Sequence, residues 1–331
     1  MARFPPSHPV DRMRIFVTGI DGFVGRHLTA RLARDGHVVT GSSLRPDRSV
    51  EGAESVVALD VRDGAGTTVA VADARPDALV HLAGQTSVAA AFEDPDGTFE
   101  INALGTLHVL EACREAGVER VVVVSSSEVY GRRDPEDGRV SEQAPLAPIT
   151  PYGTSKAAQD LLGHQYAVGF GLPVVRVRAF PHTGPGQDPR FVFPSVARRI
   201  ARAEAGLGPT AIEVGWLGAV RDLSDVRDVV DAYVTLLDRG QAGEAYNVCS
   251  GIGRSIGDAL DTLVELAEAP ITLERDDQRL RPTEVEWMVG DPSKARTTVG
   301  WARGTEWRET ARDLLDDWRE RTAAEQRKAS A

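Results

Sequence analysis

The chain has almost no lysine: of 38 basic residues only Lys156, Lys294 and Lys328 are lysines, and arginine supplies the rest. A lysine in such a background is a compact point charge on a flexible stem where a planar guanidinium fork would not serve. Cysteine is equally scarce. Cys113 and Cys249 stand far apart inside apolar segments, which excludes a disulfide framework and fits buried thiols in a reducing cytoplasm. The seven histidines lack metal-ligand spacing and no Cys/His cluster exists, so no metal is expected; His27 and His81 read as packing residues. No apolar run reaches the ~20 residues that cross a bilayer, and the segment MARFPPSHPVDR lacks the apolar centre of a secretory leader. A net charge of -11 with a pI near 5.2 argues against nucleic acid or an anionic membrane as partner. A small molecule in the cytoplasm is the expected partner.

What is present is a regular alternation. RIFVTG, HVVTGS, SVVALD, DALVHLAG and RVVVVSSS are short β-branched runs, separated by amphipathic stretches near 23–35 and 98–116. Continuous apolar strands between helices predict an α/β fold with a doubly wound parallel sheet covered on both faces. A further strand is expected at 173–180, after which proline and glycine become frequent and a smaller C-terminal lobe begins. The expected division is a flexible extension at 1–12, with Met13 an alternative start; a dinucleotide-binding domain at 13–178 plus about 220–250; a substrate-binding lobe at 179–219 and 251–322; and a frayed tail at 323–331. The chain is expected to return to the sheet around RDLSDVRDVV and EAYNVCS.

Two patterns carry chemistry. In IFVTGIDGFVGRHL, Gly19, Gly22 and Gly25 lie between the first strand and the first helix, the context in which backbone N–H groups and a helix N-terminus receive a pyrophosphate. The candidate cofactor contacts are Gly19, Asp21, Gly22, Phe23, Val24 and Gly25, then Ser42 and Arg45, Asp60 and Val61, and Leu82 and Ala83 at successive strand ends. At the end of the second strand, Gly41, Ser42 and Ser43 replace the acid that would bind a ribose 2'-hydroxyl, and Arg45 and Arg48 follow. This set predicts NADP, with NAD as the alternative. The second pattern is YGTSK at 152–156, preceded by the strand end VVVVSSSEVYG. Residues i and i+4 share a helix face, so Lys156 is expected to hold its ammonium near the Tyr152 phenol and favour the phenolate, a base for an alcohol proton.

With TGIDGFVG, the serine-rich strand and YGTSK in this order, the chain resembles the extended short-chain dehydrogenase/reductase superfamily and its Rossmann sheet. LAGQTSV, RAFPHTGPGQ, RDLSDVRDVVDAY, YNVCSG, LRPTEV and GDPSKAR resemble the group of GDP-mannose 4,6-dehydratases and GDP-4-keto-6-deoxymannose reductases, across about 13–320. The resemblance implies that Ser126 bonds the sugar 4-hydroxyl and that Glu128 is the glutamate of nucleotide-sugar 4,6-dehydratases. Once C4 is a ketone the C5 proton is acidified, and a carboxylate can remove it while water leaves C6. In the implied sequence Tyr152 first takes the 4-hydroxyl proton as hydride passes to NADP, Glu128 then drives the elimination with Ser127 helping to protonate the leaving hydroxyl, and hydride returns to C6. A 4-ketosugar reductase, an epimerase and a non-catalytic NADP-binding protein stay open as alternatives.

The same resemblance implies that Arg221 and Arg281 clamp the diphosphate, that Thr86 and His182 lie near the sugar, and that Glu284 lies near the nucleoside. It also implies a homodimer joined by a four-helix interface built from the helices near 98–116 and 153–168. The chain departs at Pro181, Trp216 and Val220, where the group carries an asparagine near the diphosphate and an asparagine and commonly a lysine near the base. GDP-mannose is the expected nucleotide sugar, with the nucleoside preference open.

Overall fold

The computed structural model describes residues 12–276 and 285–329. The first half alternates as expected: β1 (Arg14–Thr18), α1 (Phe23–Arg34), β2 (Val38–Ser43), β3 (Ala53–Ala58), α2 (Gly64–Ala74), β4 (Ala78–His81), α3 (Val88–Glu93), α4 (Pro95–Phe99), a π-helical turn (Glu100–Leu104), α5 (Gly105–Ala116), β5 (Arg120–Ser126), α6 (Pro151–Phe170) and β6 (Val174–Ala179). The remainder is β7 (His182–Thr183), α7 (Val192–Glu204), β8 (Ala211–Val214), β9 (Val220–Asp222), β10 (Ser224–Asp225), α8 (Val226–Arg239), β11 (Ala245–Val248), β12 (Gly253–Ser255), α9 (Ile256–Glu265), β13 (Thr272–Arg275), β14 (Trp287–Met288), α10 (Ser293–Thr298) and α11 (Trp307–Ala329).

Seven parallel strands form one sheet in the order β11-β6-β5-β4-β1-β2-β3. The strand sequences explain why both faces are covered. Ile15 and Val17, Ala78 and Val80, Val122, and Val175 and Val177 point to one side, where they pack with Leu28 of α1 and Tyr233 of α8. Their neighbours Phe16, Leu79, Val121, Val123 and Val174 point to the other side, where they meet Val109 and Leu110 of α5 and Tyr166 of α6. Period-two alternation between two apolar layers is what a β-branched run without polar positions produces. Each such side chain contributes roughly 1.5–3 kcal/mol by leaving water. Strand order reverses between β1 and β4, so the crevice at their C-terminal ends is the natural ligand site.

The segment RDLSDVRDVV returns to the sheet as a covering helix and not as a strand of it: Val226, Val229 and Val230 of α8 pack in the same layer as Ile15, Val17 and Val175. Only β11 joins the seven strands; β9 pairs with β12 and β14, and β10 with β7. Three carboxylates in this segment instead tie remote chain together. Asp222 accepts from Ser250 N at 2.7 Å, Ser250 Oγ at 2.6 Å, Gly251 N at 2.8 Å and Gly290 N at 3.2 Å. Asp225 caps α8 and accepts from Thr310 Oγ1 at 2.8 Å, and Asp228 accepts from Gly304 N and Thr305 N, each at 3.0 Å. Around them a separate apolar cluster gathers Phe193 and Ile200 of α7, Ile212, Leu260 of α9, and Trp307 and Leu314 of α11. The expected frayed tail is helical to Ala329, because α11 packs on α7 and Glu325 pairs with Arg202 at 3.4 Å. Among the described residues no helix is long and apolar enough to cross a membrane.

His81, at the end of β4, is fully buried between two hydroxyls. Thr106 Oγ1 donates to the Asn102 carbonyl at 2.6 Å and accepts from His81 Nε2 at 3.0 Å, so Nδ1 accepts from Thr18 Oγ1 at 2.8 Å. The Thr18 oxygen in turn accepts from Leu82 N and Ala83 N, each at 3.1 Å. Burial pushes the imidazole pKa down to about 3 from its ordinary 6.5. The unfolded chain therefore binds the proton first, and stability that is present above 6.5 is lost as pH falls from there toward 3. Replacing His81→Leu is expected to cost about 2–4 kcal/mol at pH 8, since two buried hydroxyls lose their partner, and to flatten the acid slope below pH 6.5. Urea unfolding at several pH values measures both; an unchanged slope would mean that His81 is not the titrating group.

Candidate active site

The helix carrying Tyr152 and Lys156 starts where its sequence dictates. Thr150 is the N-cap and its Oγ1 accepts from Gly153 N at 2.9 Å, and Pro151 occupies the first helical position. Tyr152 therefore lies in the first turn of α6, whose positive end favours a phenolate. At Gly153 the helix comes so close to the end of β5 that a Cβ would stand 2.8 Å from the Glu128 carbonyl oxygen. This close approach lets the two motifs meet.

At that junction the β5 end turns into a 3-10 segment over Ser127–Tyr130. The Ser126 hydroxyl hydrogen-bonds the Tyr152 phenol and accepts from Glu128 N at 3.2 Å. The half-buried Glu128 carboxylate lies near enough to oppose ionisation of the phenol. Ser127 is 3% exposed beside them. Ser125 Oγ donates to the Lys156 carbonyl at 2.8 Å, and Lys156 Nζ donates to the Val124 carbonyl at 2.6 Å.

The electrostatics differ from the expected lysine-driven phenolate. Burial pushes the Tyr152 phenol up to about 12, opposed by the Ser126 hydrogen bond, with Glu128 adding to the rise. Burial likewise pushes Lys156 down to about 7, opposed by the Asp160 carboxylate. The ammonium is engaged by a strand carbonyl, and desolvation dominates both groups. As folded, Tyr152 is a protonated phenol near neutral pH.

Two features beyond the sequence motifs hold this arrangement. The π-helical turn points Asn102 inward: its Nδ2 donates to Ser155 Oγ at 2.9 Å and to the Gln85 carbonyl at 3.0 Å, while Oδ1 accepts from Gln85 N at 2.8 Å. Such turns recur at functional sites. The second is Asp160, one turn after Lys156 and with no exposed side-chain surface. It accepts from Arg176 NH1 at 2.6 Å and from Arg178 Nε at 2.9 Å and NH2 at 3.0 Å. Arg178 NH1 continues to Tyr130 Oη at 3.1 Å, and Tyr130 Oη donates to Asn247 Oδ1 at 2.6 Å. Neither Asn102 nor Asp160 has a motif of its own; a buried polar residue on an otherwise apolar helix face was the available signal.

The remaining expected residues fall in three places. In the glycine loop, Gly22 N donates to the Gly19 carbonyl at 3.0 Å, and a Cβ on Gly25 would run into that same oxygen. Asp21 lies 3.8 Å from Arg45, Val24 packs against the sheet core, and Ser42 is buried with its carbonyl accepting from Ile20 N at 3.0 Å. Phe23 stacks on His182, at 6.2 Å between centroids and 12° between planes, while His182 Nδ1 sits 2.9 Å from the Phe180 carbonyl. Burial lowers the His182 pKa. Leu82 and Ala83 are held against the loop by Thr18. Asp60 is forked by Arg62 at 2.6 Å, which holds its carboxyl below the ordinary value, and the Val61 carbonyl meets His108 Nδ1 at 2.9 Å. Thr86 is exposed ahead of α3. In the lobe, Arg221 is half-buried on β9 and donates to the Val220 carbonyl at 3.0 Å; Val220 lies in the same strand, Trp216 packs against Gly218, and the Pro181 carbonyl accepts from Ser224 N at 3.0 Å. Arg281 and Glu284 lie outside the described residues. Among the described residues no group of three or more His, Cys, Asp or Glu could hold a metal ion.

The geometry agrees with what the chain is similar to. The sequence profile of the family described as GDP-mannose 4,6 dehydratase matches residues 16–314. GDP-6-deoxy-D-mannose reductase of Pseudomonas aeruginosa is 37% identical over 94% of this chain and 99% of its own. The structure of RMD from Pseudomonas aeruginosa complexed with NADPH superposes with a TM-score of 0.82 at 35% identity, covering 93% of this chain and 99% of that one. UDP-glucose 4-epimerase of Thermus thermophilus, in complex with NAD, gives 0.84 at 32% identity over 93% and 99%.

Removing the charge of Asp160 leaves two buried guanidinium groups unpaired. Asp160→Asn is expected to cost about 3–5 kcal/mol in urea unfolding; a loss below about 1 kcal/mol would show that the pair does not fix α6.

Proposed function

Because the chain belongs to the family described as GDP-mannose 4,6 dehydratase, within the extended short-chain dehydrogenases/reductases, we propose that it is a nucleotide-sugar 4,6-dehydratase with GDP-mannose as the first substrate to test. The observation that carries this reading is the Glu128 carboxylate beside the Tyr152 phenol. In this reading Ser126 holds the sugar 4-oxygen and Tyr152 takes the hydroxyl proton. Glu128 removes the acidified C5 proton, and Ser127 supports departure of the C6 hydroxyl as water. NADP, when bound, supplies the reversible acceptor for the two electrons that leave C4 and return to C6, so the net change is loss of one water. The glycine loop, Ser42 and Arg45 hold this cofactor. No acid meets the ribose 2'-hydroxyl, which favours NADP over NAD. Arg221 and Arg281 are assigned to the diphosphate, Thr86 and His182 to the sugar and Glu284 to the nucleoside. The division into a cofactor domain and a substrate lobe follows the same reading, and the free, buried Cys113 and Cys249 accord with a cytoplasmic location.

A second reading, NADPH-dependent reduction of a 4-ketosugar, is favoured by the reductase relative and by the high phenol pKa, which suits Tyr152 to donate a proton. Mass analysis of GDP-mannose incubated with enzyme and no added cofactor, beside UDP-, dTDP- and CDP-hexoses, separates the two. Loss of water supports the dehydratase; NADPH consumed with a 4-keto-6-deoxy sugar, and no dehydration of any hexose, overturns it. Tyr152→Phe should lower kcat by ~10²–10⁴-fold in either case. Glu128→Gln should lower dehydration by at least ~10²-fold, and full product formation in that variant would sink its role.

We also propose a homodimer through a four-helix interface. Phe99, Leu104 and Leu161 are 41%, 44% and 56% exposed around an apolar groove of 430 Å³ between α5 and α6, and contiguous exposed apolar surface of this kind marks an interface. Leu161→Glu should convert the dimer to monomer in analytical ultracentrifugation; a wild-type monomer would refute the interface.

A further inference from the structure

Asp21 and Arg45 face each other across the turns that follow β1 and β2, where a dinucleotide fold receives the adenosine ribose and its phosphates. Asp21 directly precedes Gly22, the N-cap of α1, yet no side chain caps that helix. The carboxylate is turned instead toward the loop after β2. Arg45 NH2 is 3.8 Å away, too far for a hydrogen bond, and among the described residues the Asp21 carboxylate has no hydrogen-bond donor. Its side chain is 10% exposed and that of Arg45 62% exposed. A carboxylate so far withdrawn from water and so poorly matched is a costly arrangement. Neighbouring groups are better served. Asp60, at the end of the next strand, is held by Arg62 Nε and NH2 at 3.0 and 2.6 Å, and Arg26 Nε goes to the main-chain carbonyl of Asp21 at 2.9 Å. The two turns themselves are fixed: Ile20 N donates to the Ser42 carbonyl at 3.0 Å and Arg45 N to Ser43 Oγ at 2.8 Å. The Arg45 backbone is thus anchored while its guanidinium stands in solvent.

We propose that Asp21 is a specificity-determining residue for the cofactor: it acts as the counterion of Arg45 until a 2'-phosphate displaces it, and so limits the preference for NADP over NAD. The inference rests on the NADP reading and deepens it. Arg45 can present its bidentate edge to a 2'-phosphate only by leaving the carboxylate. Asp21 then stays behind as a like charge beside the phosphate, in a place where water screens it poorly. NAD brings no charge to the ribose 2'-position and leaves the pair as it stands. The opposed pair therefore weighs on one cofactor and not on the other.

The test uses calorimetric titration of the full chain with NADP and with NAD, beside thermal unfolding of ligand-free protein. Asp21→Asn keeps the shape and removes the charge; it is expected to tighten NADP by about 5- to 30-fold and to change NAD by less than about twofold. Arg45→Met should weaken NADP by about 10- to 100-fold with NAD again unchanged. The ligand-free Tm of Asp21→Asn should equal or exceed that of the wild type, since a carboxylate without a donor is removed. An unchanged ratio of NADP to NAD affinity in Asp21→Asn, with NADP lost in Arg45→Met, would overturn the role of Asp21 while leaving the NADP reading intact. Weaker binding of both cofactors together with a ligand-free Tm several degrees lower would overturn it by showing a structural role. Equal affinity of the wild type for NADP and NAD, with no effect of Arg45→Met on either, would overturn both.

Discussion

The buried ion pair of Asp160 with Arg176 and Arg178 is the constraint on which the reacting geometry depends. Helix α6 carries Tyr152 and Lys156, and Asp160 follows Lys156 by one turn. Its carboxylate, gripped by two arginines of β6, fixes both the axial position and the rotation of the helix against the sheet. Arg178 then reaches Tyr130, which ends the turn carrying Ser126 and Glu128. Taking three charges out of water is costly, and such groups do not stabilise a fold by default. What they supply here is position: an apolar contact would tolerate a slide of an ångström, whereas a bidentate fork does not.

Much of the frame was legible because it rests on local rules. Valine runs at β5 and β6 read as strands buried on both sides, the glycine loop read as a strand-to-helix turn, and the helix expected near 153–168 is α6. The π-helical turn at Glu100–Leu104 was not legible, since one extra residue in a helical ladder leaves the apolar pattern continuous, and its product, the inward aim of Asn102, depends on Gln85 and Ser155 far along the chain. RDLSDVRDVV does return to the main sheet, but as a helix laid on it and not as one of its strands. Its apolar positions suit a sheet neighbour, but its aspartates, three residues apart, commit it to loops that sequence spacing cannot reveal.

The electrostatic reading of Tyr152 and Lys156 shows where a motif ends and an environment begins. Helical spacing correctly put the two residues on one face. It could not show that Lys156 Nζ would donate to the Val124 carbonyl, or that burial would dominate the phenol. A buried pair of this kind is poised by what is brought to it. Any group that lowers the cost of a phenolate, including the serine already in contact, has more leverage in a dry site than it would have in water.

The carboxylates of Asp222, Asp225 and Asp228 recognise backbone N–H groups and hydroxyls of segments at 250–251, 290, 304–305 and 310. A main-chain amide offers the same donor whatever side chain it bears. The lobe is thus anchored by a short stretch that is largely blind to the identity of what it anchors, and its exposed surface is free to diversify. Residues such as Trp216 and Val220 can change while Asp222 keeps β9 tied to the loops at 250–251 and 290. Anchoring of the lobe and variation of its surface are in this way carried by different groups, main-chain donors for the one and side chains for the other.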